Sequence, residues 1–264
     1  ASVNITGGTI SSGYAYYGAG VYLSAAGGAS TITLDSTGLI SNSSYYYGSG
    51  AYVEGGSTVT SLNSSWTSNR GYYTYGAGVF LAQGAHLFST GDSWTSNYAN
   101  YYTSGYTGGA IYASASASVV LSDDDFTGNV SYNGGAIYLY TSATLTADQT
   151  TFTSNSSYVN GGAIYGYYSS NMTLTDITAT QNRATYGHGG FLYETGGPLS
   201  VDTGSITNNT AYYSGGGIII ESGSARLTDT TLSHNTATYG YGGAFYQSGA
   251  AQSLDAINVV SDGN

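Results

Sequence analysis

The feature that most constrains this chain is an internal repeat. A Gly-rich block followed by apolar residues appears as Gly18-Ala19-Gly20-Val21-Tyr22-Leu23, Gly48-Ser49-Gly50-Ala51-Tyr52-Val53 and Gly76-Ala77-Gly78-Val79-Phe80-Leu81. It returns at Gly108-Gly109-Ala110-Ile111-Tyr112, Gly134-Gly135-Ala136-Ile137-Tyr138 and Gly161-Gly162-Ala163-Ile164-Tyr165. Looser copies centre on Leu192, Ile218 and Phe245, and the mean period from Val21 to Phe245 is 28 residues. A chain with such a period folds as stacked units, because one unit cannot bury its apolar face alone.

Two further blocks keep the same period. One reads Trp66-Thr67-Ser68-Asn69, Trp94-Thr95-Ser96-Asn97, Phe126-Thr127-Gly128-Asn129 and Phe152-Thr153-Ser154-Asn155. The other alternates apolar and polar residues, as in Thr31-Ile32-Thr33-Leu34 and Thr144-Leu145-Thr146, which marks half-buried strands. Each period therefore holds three short strands separated by Gly, Asp, Asn or Ser turns. A propeller blade needs roughly 40–50 residues, and a leucine-rich repeat needs a Leu-dense consensus. Three strands in 28 residues match one coil of a parallel β-helix. At one strand spacing of about 4.8 Å per coil, nine coils make a rod of roughly 40 Å.

Composition supports a packed solenoid. Charged residues are 6% against roughly 25% in an average soluble domain, while 41% are apolar and recur in register. Disorder is excluded by that apolar content. The net charge is −11, with three Arg and no Lys, which excludes phosphate-tracking nucleic-acid binding. No apolar run is long enough for a membrane-spanning helix. There is no Cys, so neither a disulfide scaffold nor a thiolate metal site is available.

In a stack of coils, equivalent positions form columns. The aliphatic column with its Gly pair is architecture. So is an Asn column, Asn42, Asn69, Asn97, Asn129, Asn155, Asn182, Asn209 and Asn235, whose amides can bond to one another and to turn carbonyls. A Tyr column, Tyr22, Tyr52, Tyr112, Tyr138, Tyr165, Tyr193 and Tyr246, follows the inward aliphatic residue. Strand alternation points it outward, either as an exposed contact stripe or as rings that stack within the rod and stabilise adjacent coils. More Tyr crowd the preceding turn, at Tyr16, Tyr17, Tyr46, Tyr47, Tyr72, Tyr73, Tyr101, Tyr102, Tyr212 and Tyr213. An acidic column is expected at Asp35, Asp92, Asp124, Asp148, Asp176, Asp202, Asp229 and Asp255. Turn capping accounts for it, and the run Asp123-Asp124-Asp125 is the candidate Ca²⁺ site. No other cofactor is expected. Among the Asn-X-Ser/Thr sequons, Asn4, Asn63 and Asn171 fall at outward or turn positions and are the candidates for glycosylation.

Catalysis finds little support in the sequence. Processing of acidic polysaccharides needs paired carboxylates, or a cation with a base. Arg70, Arg183 and Arg226 are scattered, and His86, His188 and His234 occupy different columns. Ice binding would need a doubled Thr ladder, and the sequence displays one Thr column.

The paired motif FxxN with GGA(I/L/V) resembles the repeats of the chlamydial polymorphic outer-membrane proteins. Phe126-Thr127-Gly128-Asn129 with Gly134-Gly135-Ala136-Ile137, and Phe152-Thr153-Ser154-Asn155 with Gly161-Gly162-Ala163-Ile164, carry the match. Looser copies cover nearly the whole chain. The resemblance implies a right-handed parallel β-helix in an adhesin-like passenger domain at the cell surface. This sequence departs from that family in having no barrel segment, no Cys and an excess of Tyr. The expected protein is one β-helix domain over residues 1–264, a segment of a longer or polymerising chain. It would serve as an extracellular rod, filament or adhesin segment that contacts itself, glycans or host-surface molecules through uncapped ends and a Tyr-rich face. The alternative is a carbohydrate-binding or polysaccharide-processing β-helix.

Overall fold

The computed structural model describes residues 1–73, 75–100, 107–249 and 253–264. Among the described residues the strands form four parallel sheets of 10, 10, 9 and 9 strands, with each strand paired to its equivalents one coil before and after. The architecture is the expected parallel β-helix, and each coil carries four strands rather than three. The additional strand is only two residues long in most coils, as at Arg70–Gly71 and Ser156–Ser157. It follows the Asn position directly, and a two-residue strand displays no alternation that sequence could reveal.

The first sheet runs from Ser2–Thr6 to Leu254–Ile257 through strands of four or five residues. The second begins at Thr9–Ser11 and holds the Trp/Phe positions, the third begins at Tyr14–Tyr17, and the fourth, from Val21–Leu23 to Phe245–Ser248, carries the Gly-block strands. Pairing between coils is residue for residue, as in Ile137↔Ile164, Tyr138↔Tyr165 and Leu139↔Gly166. One register shift occurs, between Ala15 and Tyr17.

The core is a continuous column of inward side chains. Trp66 and Trp94 stack at 4.6 Å and 8°, followed by Phe126 and Phe152. The neighbouring inward column shrinks where these rings are largest. Ser61 and Ser89 stand there, and each accepts a hydrogen bond from the indole beside it at 3.1 and 3.3 Å. Small opposite large fills the interior while giving each buried N–H its partner.

The turn between the second and third sheets is built on one left-handed residue followed by the ladder Asn. Ser41, Ser68, Ser96, Ser154, Gln181 and Asn208 all have φ between 55° and 58° there, and Gly128 has 64°. That conformation costs a side-chain-bearing residue free energy, and the Asn that follows offsets it. Asn155 shows the pattern. Its Oδ1 accepts from the backbone N–H and the Nδ2 of Asn129, both at 3.0 Å. Its Nδ2 donates to the Phe126 carbonyl at 2.9 Å and to Asn182 Oδ1 at 3.0 Å. The same bonds link Asn42, Asn69, Asn97, Asn129, Asn155, Asn182, Asn209 and Asn235, all fully buried, and Asn264 continues the series.

At the next corner, between the third and fourth sheets, Gly161 adopts φ +61° and a Cβ on Gly162 would lie 1.9 Å from the carbonyl oxygen of Gly190. The Gly pair therefore answers both a left-handed turn and a coil-to-coil approach too close for any side chain.

Candidate interaction surface

The surface is assembled from the Asn turn outward. Three or four residues beyond each ladder Asn the chain leaves the third sheet and turns toward the Gly pair, and an aromatic residue occupies that corner in almost every coil. Tyr16 contacts Tyr45 at 5.8 Å, and Tyr45 contacts Tyr73 at 4.9 Å. Further along, Tyr132, Tyr158, Tyr186, Tyr212 and Tyr239 form a continuous file with centroid separations of 5.6, 4.9, 6.1 and 4.8 Å. Tyr101 and Tyr102 fall outside the described residues. Tyr158, Tyr186 and Tyr239 are 41, 54 and 71% exposed. Backbone hydrogen bonds from Tyr73 N–H to the Tyr45 carbonyl and from Tyr186 N–H to the Tyr158 carbonyl hold the file in step.

This corner ladder differs from the column read from sequence, where stacking within the rod rather than an exposed stripe holds over most of the length. Of that column, Tyr22 is exposed and Tyr52 and Tyr246 are half-buried, but Tyr112, Tyr138, Tyr165 and Tyr193 are buried. Alternation does point them away from the main core. They then stack on one another along the fourth sheet at 5.0–5.2 Å and form a second apolar cluster with Ile219. Tyr75, Phe80, Tyr140 and Tyr167 pack against that cluster. Outward is not the same as exposed when the next columns carry large rings. The sequence reading missed Tyr132, Tyr158, Tyr186 and Tyr239 as a column, although their constant offset of three or four residues from the ladder Asn marks them.

Two grooves open on the fourth sheet. One of about 330 Å³ is lined by Tyr47, Tyr75, Phe80, Tyr112 and Tyr140. The other, about 380 Å³, is lined by Tyr165, Tyr167, Tyr168, Tyr193 and Glu221 with small hydroxyl residues. Tyr193 donates its phenolic hydrogen to Glu221, and burial together with that bond raises the phenol well above its ordinary range. Tyr22 and Glu54 repeat the arrangement near the start of the rod, where the hydrogen bond pushes the phenol up to about 12.

The acidic residues do not form one column. Asp35, Asp148 and Asp202 end strands of the first sheet, while Asp123, Asp176 and Asp229 are the left-handed residues just after it. Asp92 and Asp124 come one position later and point into the core, and Asp255 pairs with Arg226 at 3.1 Å on the surface. They occupy three consecutive positions of an uninterrupted register: Ser122 pairs with Asp148 and Thr175 with Asp202. The Asp123-Asp124-Asp125 run is split because it spans the turn: Asp124 is buried while its neighbours are exposed. Among the described residues no group of three or more His, Cys, Asp or Glu could hold a metal ion.

Asp92 and Asp124 are instead a buried pair. Ser89 Oγ lies 2.7 Å from Asp92 Oδ2 and 3.0 Å from Asp124 Oδ1, with one hydroxyl hydrogen between the two carboxyls, and the Asp92 N–H donates to Asp124 Oδ1 at 2.7 Å. Asp124 Oδ2 has no hydrogen-bond partner. Desolvation pushes the Asp124 carboxyl up to about 7 and raises Asp92 as well. Glu194, also buried, is pushed up to about 7 by desolvation against the lowering effect of bonds from Ser170 Oγ and Gly197 N–H. These acids face the interior, where substrate has no access. His188 accepts from the Ser214 N–H through Nδ1 at 3.2 Å, and burial lowers its pKa, so it serves the fold as a neutral acceptor.

The candidate sequons Asn4, Asn63 and Asn171 are all exposed. On the second sheet, Thr67, Thr95, Thr127, Thr153, Thr180 and Thr207 stand in one column. The adjoining column runs Ser65, Ser93, Asp125, Thr151, Thr178 and Ser205, so Thr is doubled only at Thr151/Thr153 and Thr178/Thr180.

Among the described residues no helix is long and apolar enough to cross a membrane. No curated protein and no solved structure matches the chain. A family model described as "Right handed beta helix region" matches residues 1–203 and 104–262, which together take in nearly the whole sequence.

Proposed function

Because the chain belongs to the right-handed β-helix family, we propose that it is a segment of an extracellular rod or adhesin that meets its partners through the corner Tyr ladder. The observation that carries this reading is the ladder itself. Soluble surfaces avoid long contiguous aromatic files, because each exposed ring favours association. Here the file follows the rod axis on one edge, where a second rod or a glycan chain could lie along it. A Tyr presents a rigid apolar face and a hydroxyl together, which suits contact with both protein and sugar. The resemblance of the paired motif to chlamydial surface passengers supports the cell-surface setting, and the exposed sequons at Asn4, Asn63 and Asn171 are consistent with it.

Simultaneous replacement of Tyr158, Tyr186 and Tyr239 by Ser tests the reading. Sedimentation velocity should show weaker self-association, or cell-binding assays weaker adhesion, while circular dichroism shows the β-helix intact. Unchanged association and adhesion in a folded variant would count against it.

A second reading draws on the groove at Glu221. Aromatic faces of Tyr165, Tyr167 and Tyr168 beside a carboxylate held by Tyr193 fit a neutral sugar, whose ring stacks while its hydroxyls donate to the carboxylate. Calorimetric titration of neutral oligosaccharides against wild type and Glu221→Gln distinguishes it. Binding lost in the variant supports the groove, and absence of binding to wild type removes it.

A further inference from the structure

We propose that the corner Tyr ladder is a site of oxidative coil-to-coil cross-linking, in which neighbouring phenols couple to dityrosine and staple the solenoid along one edge. Two independent observations lead there. The first is geometric. Tyr158 and Tyr186 lie 4.9 Å apart at an interplanar angle of 59°, and Tyr212 and Tyr239 lie 4.8 Å apart at 52°. Tilted rings at a solvent-exposed corner have room to bring ortho carbons together. The buried stack at Tyr112 and Tyr138, nearly parallel at 4°, has none.

The second is the absence of competing reductants at the surface. The chain has no Cys, its single Met is buried at Met172, and both Trp are buried at Trp66 and Trp94. Thiols, thioethers and indoles ordinarily take oxidative damage first. On this molecule a one-electron oxidant arriving from solvent meets phenols.

The chemistry requires an external oxidant, a peroxide used by a haem peroxidase. Each Tyr gives up one electron and its phenolic proton. The two radicals join through their ortho carbons, and each ring regains aromaticity as that carbon's hydrogen moves to oxygen. Two electrons and two protons leave per cross-link, and one hydrogen peroxide becomes two waters. The link closes a loop of one coil, as a disulfide would in a chain that had Cys. It stands whether or not the ladder also meets a partner.

The test treats dilute purified protein with a haem peroxidase and hydrogen peroxide, then maps cross-linked peptides by mass spectrometry. Links Tyr158–Tyr186 and Tyr212–Tyr239 are expected within monomers, with unfolding in guanidinium slowed at least tenfold. Tyr158→Phe keeps the ring, so it should fold normally, lose the links made by Tyr158 and retain Tyr212–Tyr239. Dityrosine found only between chains, no dityrosine in folded protein, or undiminished linkage around position 158 in the variant would each overturn the proposal.

Discussion

Replacing Asn155 by Ala probes the device that closes every coil. The Asn155 side chain makes four hydrogen bonds, two received from Asn129 and one each given to Phe126 and Asn182. Alanine removes all four. Asn129 Nδ2 retains its bond to the Trp94 carbonyl, and Asn182 Oδ1 retains the Asn155 backbone N–H, but the buried Asn129 N–H loses its acceptor. An unsatisfied buried donor costs about 1–3 kcal/mol, and each of the other lost bonds about 1 kcal/mol. The expected loss is about 4–6 kcal/mol, a large part of the 5–15 kcal/mol typical of a folded domain. Guanidinium unfolding should show a lower midpoint, and native-state hydrogen exchange should locate the weakening at Asn129 and the adjoining turns. Exchange is the sharper assay, because a solenoid can open locally without unfolding. Asn155→Asp keeps the acceptor but sets a second carboxylate oxygen against the Phe126 and Asn182 oxygens. It should cost at least as much at neutral pH and recover as the pH falls. A loss below about 1 kcal/mol for Asn155→Ala, with unchanged exchange at Asn129, would refute the role assigned to the ladder.

Three further outcomes follow from the interior. The raised Asp124 and Glu194 carboxyls favour their neutral forms in the fold, so their stability contribution is full below about pH 4 and is lost as pH rises to about 7. For Asp124 the loss is on the order of 4 kcal/mol; Asp124→Asn should flatten the pH–stability curve measured by denaturation, and an unchanged slope would contradict this. Gly166→Ala would place a Cβ 1.7 Å from Glu194 Oε2 and 2.3 Å from Ser170 Oγ and should cost about 1–3 kcal/mol, with Glu194→Ala in the same chain recovering part of it in a double-mutant cycle. Fluorescence from Trp66 and Trp94 should be blue-shifted and insensitive to iodide, since both indoles are fully buried; ready quenching would mean that the aromatic core is misplaced.

The fold was legible because a solenoid writes its geometry into the sequence period, and the apolar and Asn columns repeat with few exceptions. The fourth strand was not legible, since two residues such as Arg183–Ala184 carry no pattern. The Tyr stripe illustrates a different limit. Alternation told which side of the sheet Tyr138 faces, while its burial depends on Tyr112, Tyr140 and Tyr165 standing around it, which only the three-dimensional register reveals. The acidic column failed because Asp92, Asp123 and Asp148 stand at three consecutive positions, a buried carboxylate, a turn residue and a strand end, which only a strict count to the ladder Asn separates. Asn264 was overlooked because its block, Ser261-Asp262-Gly263-Asn264, lacks an aromatic or aliphatic residue in the Trp66 position.

The claim that the corner Tyr ladder is where the rod meets its partners is tested most directly by iodination footprinting. Tyr158, Tyr186 and Tyr239 would be labelled in the isolated chain and in native assembled material, and the modified peptides quantified. The account requires strong labelling of all three in the isolated chain and protection in the assembly, with the buried Tyr138 unlabelled in both. Equal labelling of the ladder in the two states would contradict it.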